Sequence, residues 1–281
     1  MKRITNLNIK PTNHWLLTMT IHFHKYQGTG NDFIILDNLR NEYSSLSMSL
    51  VQRLCDRRFG VGADGLILLN EKKDYDFEMK YYNADGKEGS MCGNGSRCMI
   101  KFAHSAGIHR EKYNFLTSDG PHQAEINGNG IIAIKMNDVT HIKKLNNDFI
   151  LNTGSPHYVK MVMDVMNFEV VKKGREIRDS KEFKQEGINV NFVEQTDKPD
   201  KIIVRTYERG VENETFSCGT GVTAAALVCF HNENGFNEVE VKTPGGKLFV
   251  EFERVDNEKF QNIWLSGPAE KVFEGSIEIN F

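Results

Sequence analysis

Short apolar stretches bounded by turn residues dominate the chain. They predict strands over 33–36, 66–69, 77–82, 131–136, 158–162, 201–207, 239–242, 248–252 and 263–265. Asn127-Gly128-Asn129-Gly130 and Pro244-Gly245-Gly246 supply turn chemistry between them. Helical patterning is rarer. Leu46, Leu50 and Leu54 recur every four residues and predict an amphipathic helix over 47–57. Residues 222–230 are apolar or small at every position except Thr223, so a helix there must be buried on all sides.

The pattern occurs twice. Met91-Cys92-Gly93-Asn94-Gly95-Ser96 and Ser217-Cys218-Gly219-Thr220-Gly221-Val222 stand 126 positions apart, and the same shift superimposes Gly28 on Gly154, Tyr81 on Tyr207, Thr117 on Thr243, Gly120 on Gly246 and Glu125 on Glu251. Two copies of one unit follow, over about 22–137 and 148–267, with a site shared between them. The expected fold is α+β, with two pseudo-symmetric barrel-like units. Each is a mixed sheet wrapped round a central helix whose N-terminus points into the common cleft. Residues 1–20, polar and without periodicity, read as a disordered extension, with a strand beginning at Met19-Thr20-Ile21. The expected boundaries are 21–137 for the first unit and 138–267 for the second.

Composition narrows the function classes. A net charge of −3, with 39% hydrophobic and 26% charged residues, gives no basic excess for nucleic acid. No apolar run approaches the ~20 residues of a membrane span, and Trp15-Leu16-Leu17 is too short for a signal-peptide core. The cytoplasm is the expected compartment. Five cysteines without an export signal imply free thiols, and no paired C-x-x-C or His spacing suggests zinc.

A thiol followed by a Gly-rich turn and an apolar run sits at a helix N-terminus, where orphan N–H groups and the macrodipole favour thiolate and bind anions. Cys92 and Cys218 therefore carry chemistry, whereas Cys55, Cys98 and Cys229 read as packing residues. Two thiols across a cleft could form a redox pair, hold a metal, or serve as acid and base on opposite faces of one carbon. The absence of C-x-x-C spacing argues against the first, and the third fits a stereochemical inversion. Amide, carboxylate and guanidinium groups in the phrases around Asn31, Asn83, His157, Asn189, Glu208 and Arg209 suit a zwitterionic amino acid.

Six phrases carry a resemblance. G-T-G-N-D-F (28–33), F-G-V-G-A-D-G (59–65), Y-N-A-D-G (82–86), C-G-N-G-S-R-C (92–98), Y-E-R-G (207–210) and S-C-G-T-G (217–221) resemble the diaminopimelate epimerase family in order, over about 22–281. The resemblance implies cofactor-independent interconversion of L,L- and meso-2,6-diaminopimelate, a step towards lysine and peptidoglycan. It also implies that the C-terminal strand, within 268–281, returns to the first unit. Cys92 and Cys218 would be the acid/base thiols. Asn31, Asn83, Asn189 and Arg209 would hold the distal end of the substrate, and the N–H groups around Gly93-Asn94 and Gly219-Thr220 the reacting carboxylate. Glu208 would meet the α-ammonium and, with His157, tune the thiols. The family phrase G-N-P-H is here Gly154-Ser155-Pro156-His157, which puts one substrate contact in question. Rival readings are a proline racemase or hydroxyproline epimerase, and a non-enzymatic anion-binding or redox protein. A small-molecule substrate is the expected partner, with no metal, nucleic acid or membrane, and a homodimer is left open.

Overall fold

The computed structural model describes residues 18–44, 46–198, 200–229 and 234–280. The first unit contains β1 (Thr18–Gly28), β2 (Asn31–Asp37), α1 (Met48–Cys55), β3 (Gly65–Asn70), β4 (Phe77–Asn83), α2 (Gly93–Ser105), β5 (Lys112–Thr117), β6 (Gly120–Ile126) and β7 (Ile132–Lys135). Two short strands, β8 (Ile142–Leu145) and β9 (Asp148–Asn152), lead into the second unit. That unit contains β10 (Pro156–Met161), α3 (Val170–Arg178), β11 (Asn189–Gln195), β12 (Lys201–Glu208), β13 (Asn213–Thr215), α4 (Gly219–Cys229), β14 (Gly235–Thr243), β15 (Gly246–Arg254) and β16 (Phe260–Gly267). The last strand, β17 (Glu270–Asn280), pairs antiparallel with β1.

The repeat survives at the level of register. Parallel pairing sets Phe33 opposite Gly65 in β2/β3 and Val159 opposite Asn191 in β10/β11, the same pairing moved by 126 positions. Both T-x-x-G phrases close two-residue hairpins. Thr117 pairs with Gly120 and Thr243 with Gly246, and each threonine hydroxyl donates to its glycine carbonyl, at 3.3 and 3.1 Å. Both glycines have φ above +120°, a region that costs glycine little.

Hydrogen bonding runs in one continuous sheet. β17, β1, β2, β3, β4, β5, β6 and β7 are neighbours in turn, and β7 then pairs antiparallel with β16 of the second unit. From β16 the sheet continues through β15, β14, β12, β11, β10 and β9 to β8. Each unit wraps its own central helix. Cys98, Met99, Ile100, Phe102 and Ala103 of α2 pack among Phe33, Ile67, Phe77 and Phe115. Val222 and residues 224–229 of α4 pack among Val159, Val204, Val241 and Leu248. Every residue of α4 from Gly221 onward is buried, as its all-round apolar composition requires. Phe230, the last residue of the expected apolar helix, lies outside the described residues.

Several expectations shift. The amphipathic helix expected over 47–57 is α1, capped by the Ser47 hydroxyl, which accepts from the Leu50 N–H at 3.2 Å. Most of the expected N-terminal extension lies outside the described residues, and Thr18–Thr20, counted as part of it, already form the start of β1. Strand β11 carries no sequence signal because Asn189 and Asn191 look like turn residues. Both are buried in it, satisfied by tertiary hydrogen bonds. Helix α3 was unreadable for its own reason: Gly174 breaks the pattern but lets Tyr207 pack where a Cβ would sit only 2.4 Å from the Tyr207 Cβ.

The units also meet at their turns. Thr29 and Gly30, both at positive φ, form a two-residue turn from β1 to β2, and this turn rests on the hairpin between β14 and β15. A Cβ on Gly245 would lie 1.8 Å from the Thr29 carbonyl oxygen. Since only backbone surrounds that site, Gly245→Ala should cost ~2 kcal/mol or more of stability in denaturant titration. Gly128→Ala, with nothing within 4 Å of its Cβ, should stay within ~0.5 kcal/mol of the parent.

Candidate active site

Both C-G-x-G phrases start a helix with no side chain at the first helical position. That absence permits close approach. A Cβ placed on Gly219 would come within 3.9 Å of the Gly93 Cα and 2.9 Å of Leu265 Cδ2, so the N-termini of α2 and α4 abut. Across the contact, Asn94 Nδ2 donates to the Ser217 carbonyl at 3.0 Å. The first-turn N–H groups and positive dipole ends of two helices therefore converge on one spot.

Cys92 occupies the N-cap position of α2 in extended conformation, and Cys218 immediately precedes α4. Both thiols are half-buried and unpaired, whereas Cys55, Cys98 and Cys229 are buried in the cores as expected. Burial is the main force on the pair. It pushes Cys218 up to about 12, helped by the charge of Glu208 and opposed by hydrogen bonds to Thr220 and the Gly221 backbone. It also raises Cys92, against hydrogen bonds to the Gly95 and Asn94 backbone. Burial likewise lifts the Glu208 carboxyl above its ordinary value.

Asn31 is oriented by a charged network. Its Nδ2 donates to Asp64 at 2.5 Å, which leaves Oδ1 facing Asn94 Nδ2 (3.3 Å) and the Cys92 sulfur (3.8 Å). Arg57 bridges Asp32 (2.6 Å) and Asp64 (2.8 Å), while Lys25 pairs with Asp32 at 2.7 Å. Burial opposes ionisation of Asp32, but Arg57 and Lys25 outweigh it and hold the carboxyl at about 2. Asn83 lies at the exposed end of β4, accepting from the Tyr81 hydroxyl at 3.1 Å.

On the second unit His157 is fully buried in β10, with Nε2 2.8 Å from the Thr220 hydroxyl and Nδ1 3.1 Å from Asn191 Nδ2. Burial depresses its pKa to about 3, with a smaller push from Arg209. The Thr220 hydroxyl in turn lies 3.6 Å from the Cys218 sulfur. Nearby, Asn189 Nδ2 donates to the Ser155 hydroxyl (3.0 Å), Asn189 Oδ1 accepts from the Arg209 N–H (2.9 Å), and Arg209 Nη2 reaches Ser155 at 3.4 Å. The departure at Ser155 thus sits inside the Asn189–Arg209 cluster.

Sequence reasoning missed Asp64, Arg57, Asn191 and Thr206. Asp64 lies in the quoted F-G-V-G-A-D-G phrase, and its partner Arg57 just precedes that phrase; neither drew a role. Asn191 and Thr206 lie in the polar phrases around Asn189 and Glu208 but drew no role of their own, being ordinary residues made special by a histidine brought alongside. A surface cavity of about 910 Å³, lined by Lys101, Arg110, Glu125 and Trp264, includes neither thiol. Enclosed volume does not mark the chemistry here.

The profile described as "Diaminopimelate epimerase" matches residues 23–142 and 149–272, one match per unit. A diaminopimelate epimerase of Flavobacterium psychrophilum is 48% identical over 255 residues, 90% of this chain and 99% of its own length. One from Chlorobaculum tepidum is 42% identical over 262 residues, with the same coverage. A phenazine biosynthesis protein of the PhzF family from Bacillus anthracis shares the fold at a TM-score of 0.73 and 18% identity, covering 92% of this chain and 99% of its own. Matched unit by unit, with its paired thiols at abutting helix N-termini, the chain belongs to the diaminopimelate epimerase family.

Proposed function

We propose that this protein interconverts L,L- and meso-2,6-diaminopimelate by a two-base mechanism, with Cys92 and Cys218 on opposite faces of the reacting α-carbon. The abutting helix N-termini, each led by a thiol, carry this reading. One sulfur, as thiolate, takes the α-proton: an S–H bond forms, the C–H bond breaks, and the electron pair moves onto the carboxylate. The N–H groups at Gly93-Asn94 and Gly219-Thr220 bind the dianion as it forms, fixed in place before the reaction and shielded from water. The opposing thiol returns a proton to the other face, so the two sulfurs exchange protonation states with each turnover.

Glu208 meets the α-ammonium in this scheme. Burial raises both thiols, and an arriving cation favours the thiolate that the reaction needs. Asn31, Asn83, Asn189 and Arg209 take the distal amino-acid head, a group that proline and hydroxyproline lack. Ser155 accepts from Asn189 and Arg209, which leaves its own O–H to donate to the distal carboxylate. The cytoplasm is the proposed compartment, supported by five unpaired cysteines, two of which must stay reduced. Among the described residues no helix is long and apolar enough to cross a membrane.

His157 acts as a neutral positioning residue. Asn191 Oδ1 accepts from Thr206 (2.9 Å) and its Nδ2 donates to the Tyr158 carbonyl (3.1 Å), so the amide presents a donor to His157 Nδ1. The proton of the ring then sits on Nε2 and points to Thr220, whose hydroxyl proton is left for the Cys218 sulfur.

Three experiments test these roles. In D2O with diaminopimelate, the product should carry deuterium at the α-carbon while recovered substrate at early conversion keeps hydrogen, and proline should take up no deuterium. Cys92→Ala and Cys218→Ala should each lose about 100-fold or more in turnover; a tenth of parental turnover in either variant refutes the two-thiol scheme. Ser155→Ala should raise KM about tenfold with kcat nearly unchanged, as expected for distal binding, and an effect on kcat alone would remove Ser155 from the binding cluster.

A fourth concerns pH. His157 has a folded pKa of about 3 against an ordinary 6.5, so the unfolded chain binds the extra proton between these values. Stability from this group is complete above about 6.5 and falls as pH drops towards 3. His157→Gln should flatten that part of the stability profile, and the His157 imidazole resonances of the parent should not shift between pH 5 and 8.

A further inference from the structure

Arg97, the arginine of C-G-N-G-S-R-C, is 0% exposed on α2. Its guanidinium donates to four oxygens: Thr29 Oγ1 (3.0 Å), Asn94 Oδ1 (2.9 Å), the Gly93 carbonyl (3.4 Å) and the Pro268 carbonyl (3.3 Å). All four are neutral. The ionisable groups whose charge bears on it are Cys98 and Cys92, with no carboxylate among them. Guanidinium does not deprotonate in proteins, so a permanent charge is buried without a permanent partner, an arrangement that buried ions ordinarily avoid.

The repeat supplies an internal control. Thr223, 126 positions later, donates to the Gly219 carbonyl at 3.0 Å, the counterpart of the Arg97 bond to Gly93. A neutral hydroxyl therefore suffices for that helical contact. The charge of Arg97 exceeds what the fold asks of the position.

Its other contacts all lead to the site. By occupying Asn94 Oδ1 it turns Asn94 Nδ2 towards Asn31 and across to Ser217. By bonding Thr29 Oγ1 it holds a β-branched residue at φ +50°, a strained conformation, in the turn that carries Asn31. The charge itself lies one turn behind the α2 N-terminus, where it adds to the helix dipole facing Cys92.

We propose that Arg97 is the fixed counter-charge of the active site: it favours thiolate at Cys92, supports the negative charge that gathers between the two helices, and positions Asn94 and Thr29. The proposal rests on the epimerase reading, but its first test needs no substrate. Alkylation of Cys92 by iodoacetamide is followed against pH by peptide mass spectrometry, with buried Cys98 as the unreactive reference. In Arg97→Met the alkylation midpoint should rise by about half a pH unit or more, and kcat should fall about tenfold or more. Arg97→Lys keeps the charge without the planar fork, so the midpoint should return to within ~0.3 units of the parent while KM rises above the parent's. Arg97→Gln, which keeps a donor for Thr29, is the second neutral variant and should shift the midpoint like Met. A folded neutral variant with an unchanged Cys92 profile overturns the proposal. So does failure of both neutral variants to fold beside a fully active Lys variant, since Arg97 would then serve folding alone. If the midpoint shifts but diaminopimelate is not turned over, the counter-charge stands and the substrate assignment falls.

Discussion

The meeting of two helix N-termini is the constraint on which the rest of the molecule turns. Helices rarely approach end to end, because like dipole ends repel and their orphan N–H groups need partners. Here glycine at the first position of each helix removes the side chains that would hold them apart, and Asn94 ties α2 to the carbonyl just before Cys218. Such a junction is stable where an anion completes it, and a reacting carboxylate gains charge at the place where the donors already point.

The remainder of the fold can be understood as what keeps that junction in place. Each helix is buried in its own sheet, and the sheets are joined edge to edge by the pairing of β7 with β16. The Thr29-Gly30 turn rests on the Pro244-Gly245 hairpin, so the units touch at their turns as well as through the sheet. A displacement of one helix would therefore have to break backbone contacts at both places.

Much of this was legible in the sequence because the repeat constrains it twice. The strands with continuous apolar runs, such as β3 with every residue buried, announced themselves, as did α4. The two thiols stood out because nothing about packing demands sulfur before a Gly-x-Gly turn. What stayed hidden was polar and tertiary. Asn191 reads as a turn residue until His157 is brought beside it from the neighbouring parallel strand. Arg57 and Asp64 become meaningful only when a turn places them against Asn31 and Asp32. No local pattern encodes these meetings; they follow from strand register, which the sequence fixes only through the whole sheet.

The repeat is symmetric in its backbone and asymmetric in its chemistry, and the substrate explains why both are needed. An α-carbon presents two nearly equivalent faces, so a pair of matched thiols at matched helix ends is the natural scaffold for inversion. The three other groups on that carbon are not equivalent, so the surroundings of each thiol must differ. Around Cys92 stand Asn31, the buried charge of Arg97 and the acid-base network of Asp32, Asp64, Arg57 and Lys25. Around Cys218 stand Thr220 and, behind it, the neutral His157. Position 97 against 223, and 31 against 157, show the divergence at residues that the shift of 126 superimposes. Duplication thus accounts for the matched helix ends, and substitution within the duplicated frame accounts for the different surroundings of the two thiols.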